Sequence, residues 1–246
     1  NAVLGKVATV LKNHPDIAPE TRKKVLELAQ KLDYEPNLYA VGLRTRRTKE
    51  FAVIVPNLSG FFYDSFISAV EQEARLLGYS LFILLSGDDP AVEIANLKVC
   101  IQRKVEGVFA CITPQTREFT HFEKMQKIDL PLVFFDKVPF QNGFTKVCVA
   151  DEQAARLAAD SLINSRRKRI LSIFGDMQMS ISKRRHDAYL QVFDEHSLSD
   201  ELIVDFATSA EEARQHVFLA FGKTDKPQAI FCMSDEILIG AMIAVQ

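Results

Sequence analysis

Short apolar runs alternate with longer amphipathic segments throughout the part of the chain that follows residue 50. The short runs are typical of β-strands, and the longer segments have the apolar spacing of a helix face. The predicted strands are 51–56, 80–85, 108–112, 132–135, 146–150, 170–174, 202–206 and 229–232. The predicted helices are 62–77, 92–103, 116–127, 151–164, 182–195, 209–221 and 235–246. This alternation predicts an α/β fold.

Most of the predicted strands are apolar along their whole length, as in FAVIVP at 51–56 and ILSIF at 170–174. Such strands are typical of parallel sheets that helices flank on both faces. Ligands of these sheets bind beyond the carboxyl ends of the strands. The segments in that position are 57–62, Asp136, Asp151, 175–185 and Ser234–Asp235.

Motifs of the common enzyme classes are absent from the sequence. It contains no GxGxxG, GxxxxGK[ST], GxSxG or HExxH pattern. His186 lies beside Arg185 near a candidate site, whereas His121, His196 and His216 are expected on exposed helix surfaces. We therefore predict a protein that is not an enzyme and that needs no cofactor or metal ion.

The four cysteines are far apart, lie in or beside apolar runs and form no CxxC pair. They are Cys100, Cys111, Cys148 and Cys232. Buried, reduced thiols are favoured over a zinc site or a disulfide framework. No apolar run approaches the roughly 20 residues that cross a bilayer, and no signal-peptide layout is present. We expect a cytoplasmic protein without a membrane partner.

The first 50 residues are more basic than the rest of the chain. They hold 10 Lys and Arg against 6 Asp and Glu, whereas the remainder holds 20 against 26. A basic head on an acidic body is a modest indication of nucleic-acid binding, although a solvated charged helix has the same composition. Pro19 and Glu20 suit the first turn of a helix, and Pro36 prevents its simple continuation.

A second, short helix is predicted from 38 to about 44, with Asn37 as its cap. It is shorter than the ~12–15 residues that an isolated helix needs in water, so it requires a partner. Ala40 and Leu43 form its apolar edge, and cations follow at 44–49. Either Leu43 inserts into a DNA minor groove while the cations hold phosphates, or it packs on the α/β body as a linker residue.

Residues 13–56 closely resemble the hinge region of the lactose-repressor (LacI/GalR) family of bacterial transcription regulators. NHPDIAPETRKKVLELA at 13–29 is similar to the third helix of the family's DNA-binding head, and 40–49 is similar to its hinge helix. In the body, VPNLSGFFYDSF resembles VPDxxNPFFxxL, PLVFFDKVP resembles PVVFFDRVP, SISKRRHDAY resembles SxxRxxGY, and AIFCMSDEILIGAM resembles AIFxxNDxxAxGA. The resemblance covers about residues 5–246.

The resemblance implies a two-lobed, periplasmic-binding-protein-like effector-binding domain at 50–246, with lobes at about 50–148 and 149–246. A small-molecule effector, a sugar or sugar derivative, would bind between the lobes. The residues implied to contact it are Phe61, Phe62, Asp151, Arg185, Ser234 and Asp235. The structural alternatives are that Phe61 belongs to the core and that Asp151 and Asp235 cap helices.

The resemblance further implies that residues 1–49 are a DNA-binding head with a hinge helix, and it favours the minor-groove role of Leu43. The residues implied to contact operator DNA are Lys6, Thr9, Lys12, Asn37, Ala40, Leu43 and Arg44. The recognition helix departs from the family pattern STVSRAL: here 5–11 is GKVATVL, which lacks the Arg that reads guanine.

The family pattern extends beyond this sequence at both ends, so we expect a truncated chain with a partial helix-turn-helix head and a missing C-terminal part. The predicted function is that of a DNA-binding transcriptional regulator, a repressor, that acts as a homodimer. Effector binding would change the angle between the lobes and thereby the spacing of the hinge helices. The alternative is a solute- or sugar-binding protein of the same fold without a DNA function.

Overall fold

A computed structural model of the protein describes residues 18–31, 34, 47–58 and 61–246. The chain divides into two compact units, Asn1–Lys49 and Glu50–Gln246. In the first unit, helix α1 spans Pro19–Lys31. Pro19 occupies its first position, where no backbone N–H is needed. The short helix predicted at 38–44 lies outside the described residues.

Within the described part of the second unit, five parallel strands form one sheet and three form another. The strands are β1 (Glu50–Val55), β2 (Ser80–Leu85), β3 (Gly107–Ala110), β4 (Leu132–Phe135), β5 (Thr145–Val147), β6 (Ile170–Phe174), β7 (Leu202–Phe206) and β8 (Ala229–Cys232). The helices are α2 (Phe61–Leu76), α3 (Pro90–Arg103), α4 (Thr120–Lys127), α5 (Asp151–Asn164), α6 (Ser180–Glu195), α7 (Ala210–Phe221) and α8 (Asp235–Ala244). The predicted α/β fold with parallel sheets is confirmed.

The strand order creates a crevice in each sheet. The first sheet has the order β2-β1-β3-β4-β5, and the second has the order β7-β6-β8. The connections that leave β1 and β6 run to one side of the sheet, and later strands are added on the other side. At such a switch point the loops separate, and ligands bind beyond the carboxyl ends of the strands. The switch points therefore lie between β1 and β3 and between β6 and β8.

The two sheets have separate apolar cores, and helix α6 contributes to both: its start packs in the core of the first sheet, and Ala188 and Tyr189 pack in that of the second. Ile54, Phe122 and Phe134 belong to the core of the first sheet, and Met179 and Ile181 are buried in the same cluster. This packing is reinforced at the intervening residue, because the Ser180 hydroxyl donates to the carbonyl oxygen of Val138 at 2.9 Å. The first turn of α6 is thus anchored to the first sheet.

Strand β2 shows that an apolar run need not be buried on both faces. Although SLFILL is almost wholly apolar, β2 lies at the edge of its sheet. Ile83 and Leu85 are accordingly 41% and 45% exposed. In contrast, β6 is buried at every position, because it lies between two neighbouring strands. Sequence pattern alone did not distinguish the two environments.

Strand β5 ends at Val147 rather than at residue 150 as predicted. It is an edge strand of three residues, and the segment that follows it is exposed. The prediction that the cysteines are buried is therefore wrong for Cys148, which is exposed, whereas Cys100 and Cys111 are buried. Cys232 is half-buried.

Helix α4 begins at Thr120 rather than at the predicted residue 116, because the preceding loop is held by Glu93. This fully buried carboxylate accepts hydrogen bonds from the backbone N–H of Thr113 at 3.0 Å and from the hydroxyl of Thr116 at 2.9 Å. It also bonds His121 Nε2 at 2.9 Å, and the His121 side chain is only 13% exposed. The prediction of an exposed His121 is therefore wrong.

No helix in the described ranges combines the length and the apolar character needed to span a bilayer.

Candidate functional site

Asp151 is a buried anion that holds two arginine side chains at the start of α5. Its exposure is 1%. Arg185 Nε donates to Oδ1 at 2.9 Å. Arg184 donates to Oδ2 from Nη2 at 2.6 Å and from Nε at 3.2 Å. Two predicted site residues, Asp151 and Arg185, are thus in direct contact, and one carboxylate orients both guanidinium groups.

Asp151 is not the N-cap of α5. That position belongs to Ala150, which has no side chain able to cap. Asp151 instead lies in the first helical turn, where its charge is favourable to the helix dipole. The capping role considered from the sequence is therefore excluded, and the carboxylate is available to position the arginines of α6.

Arg185 also connects α6 to the end of β8. Its Nη1 donates to the carbonyl oxygen of Met233 at 2.8 Å, and Met233 directly follows β8. Arg185 therefore lies at the switch point between β6 and β8. Its two contacts use two of the five N–H donors of a guanidinium group. Because its side chain is 22% exposed, the other donors can serve a ligand in the crevice.

Ser234 and Asp235 lie at the same strand end, but their side chains bond to helix α8. Ser234 is the N-cap of α8, and its hydroxyl oxygen accepts from the N–H of Ile237 at 3.4 Å. Asp235 accepts from the N–H of Glu236 at 3.0 Å. The cap suggested for Asp235 from the sequence is thus supplied by Ser234. A capping hydroxyl retains a proton that it can donate.

Phe62 is the predicted ligand contact from the first sheet. It is 42% exposed, and its ring lies 5.6 Å from the ring of Tyr63 and 6.4 Å from that of Phe66. Phe62 therefore presents an apolar surface just beyond β1. The side chain of Phe61 lies outside the described part of the structure, so the core alternative for it stays untested.

Tyr63, Cys111 and Asp136 form a cluster that the sequence did not predict as a site. The Tyr63 hydroxyl donates to Asp136 Oδ2 at 2.9 Å and lies 3.4 Å from Cys111 Sγ. Burial raises the pKa of the Tyr63 hydroxyl, and it raises the pKa of the Cys111 thiol to about 12. Asp136 has a φ of +56°, which Asp tolerates better than most residues. The sequence feature that could have indicated Asp136 as a site residue is its position directly after β4.

His186 and Phe206 form a second aromatic contact near the crevice. The His186 ring meets Phe174 edge to face at 5.0 Å and lies 6.0 Å from Phe206. Phe206 ends β7 and is 45% exposed. His186 Nδ1 and Asp187 Oδ1 are 2.9 Å apart. The sequence placed His186 near the site but gave no indication of Phe206.

The predicted DNA contacts cannot be placed in the same way. Lys6, Thr9, Lys12, Asn37, Ala40, Leu43 and Arg44 all lie outside the described residues.

Two parallel sheets, with polar side chains at the carboxyl ends of their strands, define a class of ligand-binding α/β domains. The family model of periplasmic binding proteins and the sugar-binding domain of the LacI family matches residues 48–246. The chain belongs to this family. This finding confirms the family that the sequence motifs indicated.

Relatives and a solved structure extend the match into the first unit. Catabolite control protein A of Priestia megaterium is 29% identical, covering 99% of this chain and 74% of its own length. The HTH-type transcriptional repressor PurR of Actinobacillus pleuropneumoniae is 26% identical, covering 97% and 71%. A structure of the lac repressor dimer bound to operator and the anti-inducer ONPF has a TM-score of 0.82 at 18% identity, covering 97% and 72%. These relatives are regulators, not enzymes, and the predicted LacI-family regulator is confirmed.

Proposed function

We propose that this chain is a DNA-binding transcriptional repressor whose operator affinity is controlled by a small-molecule effector. The effector is a sugar or sugar derivative, held between lobes at about 50–148 and 149–246. The observation that carries the proposal is the Asp151–Arg185–Met233 constellation at a switch point, in a domain that belongs to the LacI family. Such crevices are where ligands of parallel sheets bind.

The crevice residues have complementary chemical roles. Arg185 donates a forked pair of hydrogen bonds to a hydroxyl pair or an acidic group of the effector. Asp151 fixes the direction of that guanidinium. Phe62 supplies a flat apolar face for a ring. Ser234 and Asp235 contribute polar contacts from the end of β8. Phe61, at the start of α2, is proposed as a further contact of the effector.

The anchoring of α6 provides a route from the effector to the first sheet. Arg185 lies on this helix, and the first turn of the same helix packs through Met179 and Ile181 into the core of the first sheet. An effector that binds Arg185 more tightly in one lobe arrangement shifts the population toward it. In a homodimer this shift changes the spacing of the two hinge helices at 38–44.

In this mechanism DNA binding belongs to residues 1–49. The recognition helix at 5–11 and the residue after it contribute Lys6, Thr9 and Lys12. Asn37 caps the hinge helix at 38–44, which contributes Ala40, Leu43 and Arg44. Leu43 opens a base step from the minor groove while nearby cations hold phosphates. Such a repressor acts in the cytoplasm, and the proposal includes no catalytic step. A solute-binding role is not favoured, because regulators match the chain through its first unit as well.

The experiment is a binding assay on DNA upstream of the gene and its neighbours, using the full-length protein. Leu43→Ala should weaken specific operator binding by more than about tenfold, because the wedge that opens the base step is lost. Arg167→Ala, a change at an exposed position between α5 and β6, is the matched control and should leave the affinity unchanged. Equal operator affinity of Leu43→Ala and wild type contradicts the wedge. A wild-type protein without specific DNA binding contradicts the proposed function.

A further inference from the structure

The loop that joins β4 to β5 contains the pair Asn142-Gly143. Asn142 is the one asparagine of the sequence that directly precedes a glycine. Asn-Gly pairs are typical of turns, and Gly143 has a φ of +95°, which glycine adopts without strain. Both residues are exposed, so water reaches the pair from the surface of the protein.

Two groups of this pair can react with each other: the side-chain amide of Asn142 and the backbone nitrogen of Gly143. In the part of the chain that the structure describes, neither group has a hydrogen-bond partner. The loop is held instead at two carbonyl oxygens. Gln126 Nε2 donates to that of Gly143 at 2.8 Å, and Lys146 Nζ donates to that of Gln141 at 2.6 Å. Both bonds are exposed and contribute little net stability, so they let the loop adjust. A Cβ added at Gly143 would meet nothing within 4 Å, so neighbouring residues do not obstruct the approach.

Asn164 shows how the fold can protect an asparagine that is equally accessible. It is exposed at the end of α5 and is followed by another small residue, Ser165. The Ser165 N–H, however, donates to the carbonyl oxygens of Ser161 and Leu162, each at 3.1 Å. The helix end must open before this nitrogen can turn toward the Asn164 side chain. Asn142 has no such protection.

We propose that Asn142 is a site of spontaneous deamidation, through a cyclic imide that forms with Gly143. This modification goes beyond the proposed function and does not depend on it. The Gly143 nitrogen attacks Asn142 Cγ: the N–Cγ bond forms, the Cγ–Nδ2 bond breaks, and Nδ2 leaves as ammonia with the proton of the Gly143 N–H. Water, the only co-reactant, then opens the imide. Cleavage of the N–Cγ bond gives aspartate, and cleavage of the bond to the backbone carbonyl carbon gives isoaspartate.

Each product changes the loop between β4 and β5. Both products replace a neutral amide by a carboxylate, which is ionised at neutral pH. Isoaspartate also routes the main chain through the side-chain carbon and so lengthens the backbone. The spacing between the carbonyl oxygens of Gln141 and Gly143 then changes, and with it the bonds from Lys146 and Gln126.

The test is peptide mass spectrometry of the full-length protein after incubation over days at mildly alkaline pH, in native buffer and in guanidinium chloride. Deamidation raises the mass of a peptide by about 1 Da, and the isoaspartyl peptide elutes apart from the aspartyl one. Asn142 should convert in native buffer within about threefold of its denatured rate, because the fold does not protect it. Asn164 should convert more than about tenfold more slowly in native buffer than in denaturant, because its helix end is closed.

A matched variant locates the modification. Asn142→Gln should remove the mass increase from this peptide, because the corresponding ring is larger and closes more slowly, and it should leave Asn164 unchanged. A mass increase that persists in Asn142→Gln would place the reaction at another amide and contradict the site. Protection of Asn142 in native buffer as strong as that of Asn164 overturns the proposal.

Discussion

Glu93 is a buried carboxylate with three hydrogen-bond partners. It accepts from the Thr113 N–H and the Thr116 hydroxyl and bonds His121. In Glu93→Ala the Thr113 N–H loses its acceptor, and a backbone N–H cannot be rotated toward another one. The variant should lower the free energy of unfolding by about 2 kcal/mol, the usual cost of an unsatisfied buried polar group. Urea denaturation measures this loss.

The matched control is Glu118→Ala, which removes the same side chain from an exposed position in the neighbouring loop. Its effect should stay within about 0.5 kcal/mol, as for most surface substitutions. Equal stabilities of the two variants would show that the Glu93 contacts do not hold the loop.

Cysteine reactivity should separate the exposed thiol from the buried ones. Burial raises the pKa of Cys100 to about 11 and that of Cys111 to about 12. Below those values both thiols stay protonated, and the thiolate is the reactive form. Brief iodoacetamide treatment of the native protein at pH 8 should label Cys148, which is exposed. Peptide mass spectrometry shows which cysteine is labelled first. Labelling of Cys111 before Cys148 would contradict the burial of Cys111.

The crossing of helices α7 and α8 depends on a residue without a side chain. A Cβ added at Gly240 would overlap the carbonyl oxygen of Ala210, at the start of α7. Because the obstacle is backbone, the helices must move apart in Gly240→Ala. We expect destabilisation by about 2 kcal/mol, as for other overpacked sites, measured by thermal or urea unfolding.

Gly222→Ala is the control for helix packing, at the end of α7. Its added Cβ would lie 3.5 Å from the Phe218 carbonyl oxygen, an ordinary contact, and its φ is −74°. Alanine is compatible with that backbone, so stability should be unchanged or slightly higher. Comparable destabilisation of both variants would argue against the close helix approach.

At the scale of elements, hydrophobic pattern located most strands but not their environments. β4, β6 and α5 have the predicted bounds, because apolar runs and helical periodicity are local properties of the sequence. The start of α4 and the end of β5 differ from prediction, because long-range contacts decide them. The loop before α4 is held by Glu93 on α3, and the position of β5 at a sheet edge is a property of the assembled fold.

The sequence also predicted a part of the candidate site. Asp151 and Arg185 could be proposed because they follow strands and match a family motif. The additional bond of Arg184 to Asp151 and the pairing of Tyr63 with Asp136 join residues more than 30 positions apart. Such pairings depend on how the loops converge, and single-residue patterns do not contain that information.

At the scale of the whole molecule, helix α6 joins the first sheet to the candidate effector site. α6 begins in the core of the first sheet and presents Arg185 to the crevice within two turns. We therefore expect ligand binding and the arrangement of the proposed lobes to be coupled through this helix. This coupling is the central claim for the repressor, because effector control needs a differential affinity for two arrangements.

The most direct measurement is operator affinity by fluorescence anisotropy, with and without the tightest-binding member of a panel of sugars and sugar derivatives. Wild type should change its operator affinity by more than about fivefold, the lower range of allosteric coupling. Arg185→Ala should bind operator as wild type does but show no response to the sugar, whereas Arg167→Ala should respond normally. A normal response in Arg185→Ala would contradict the effector site and the route through α6.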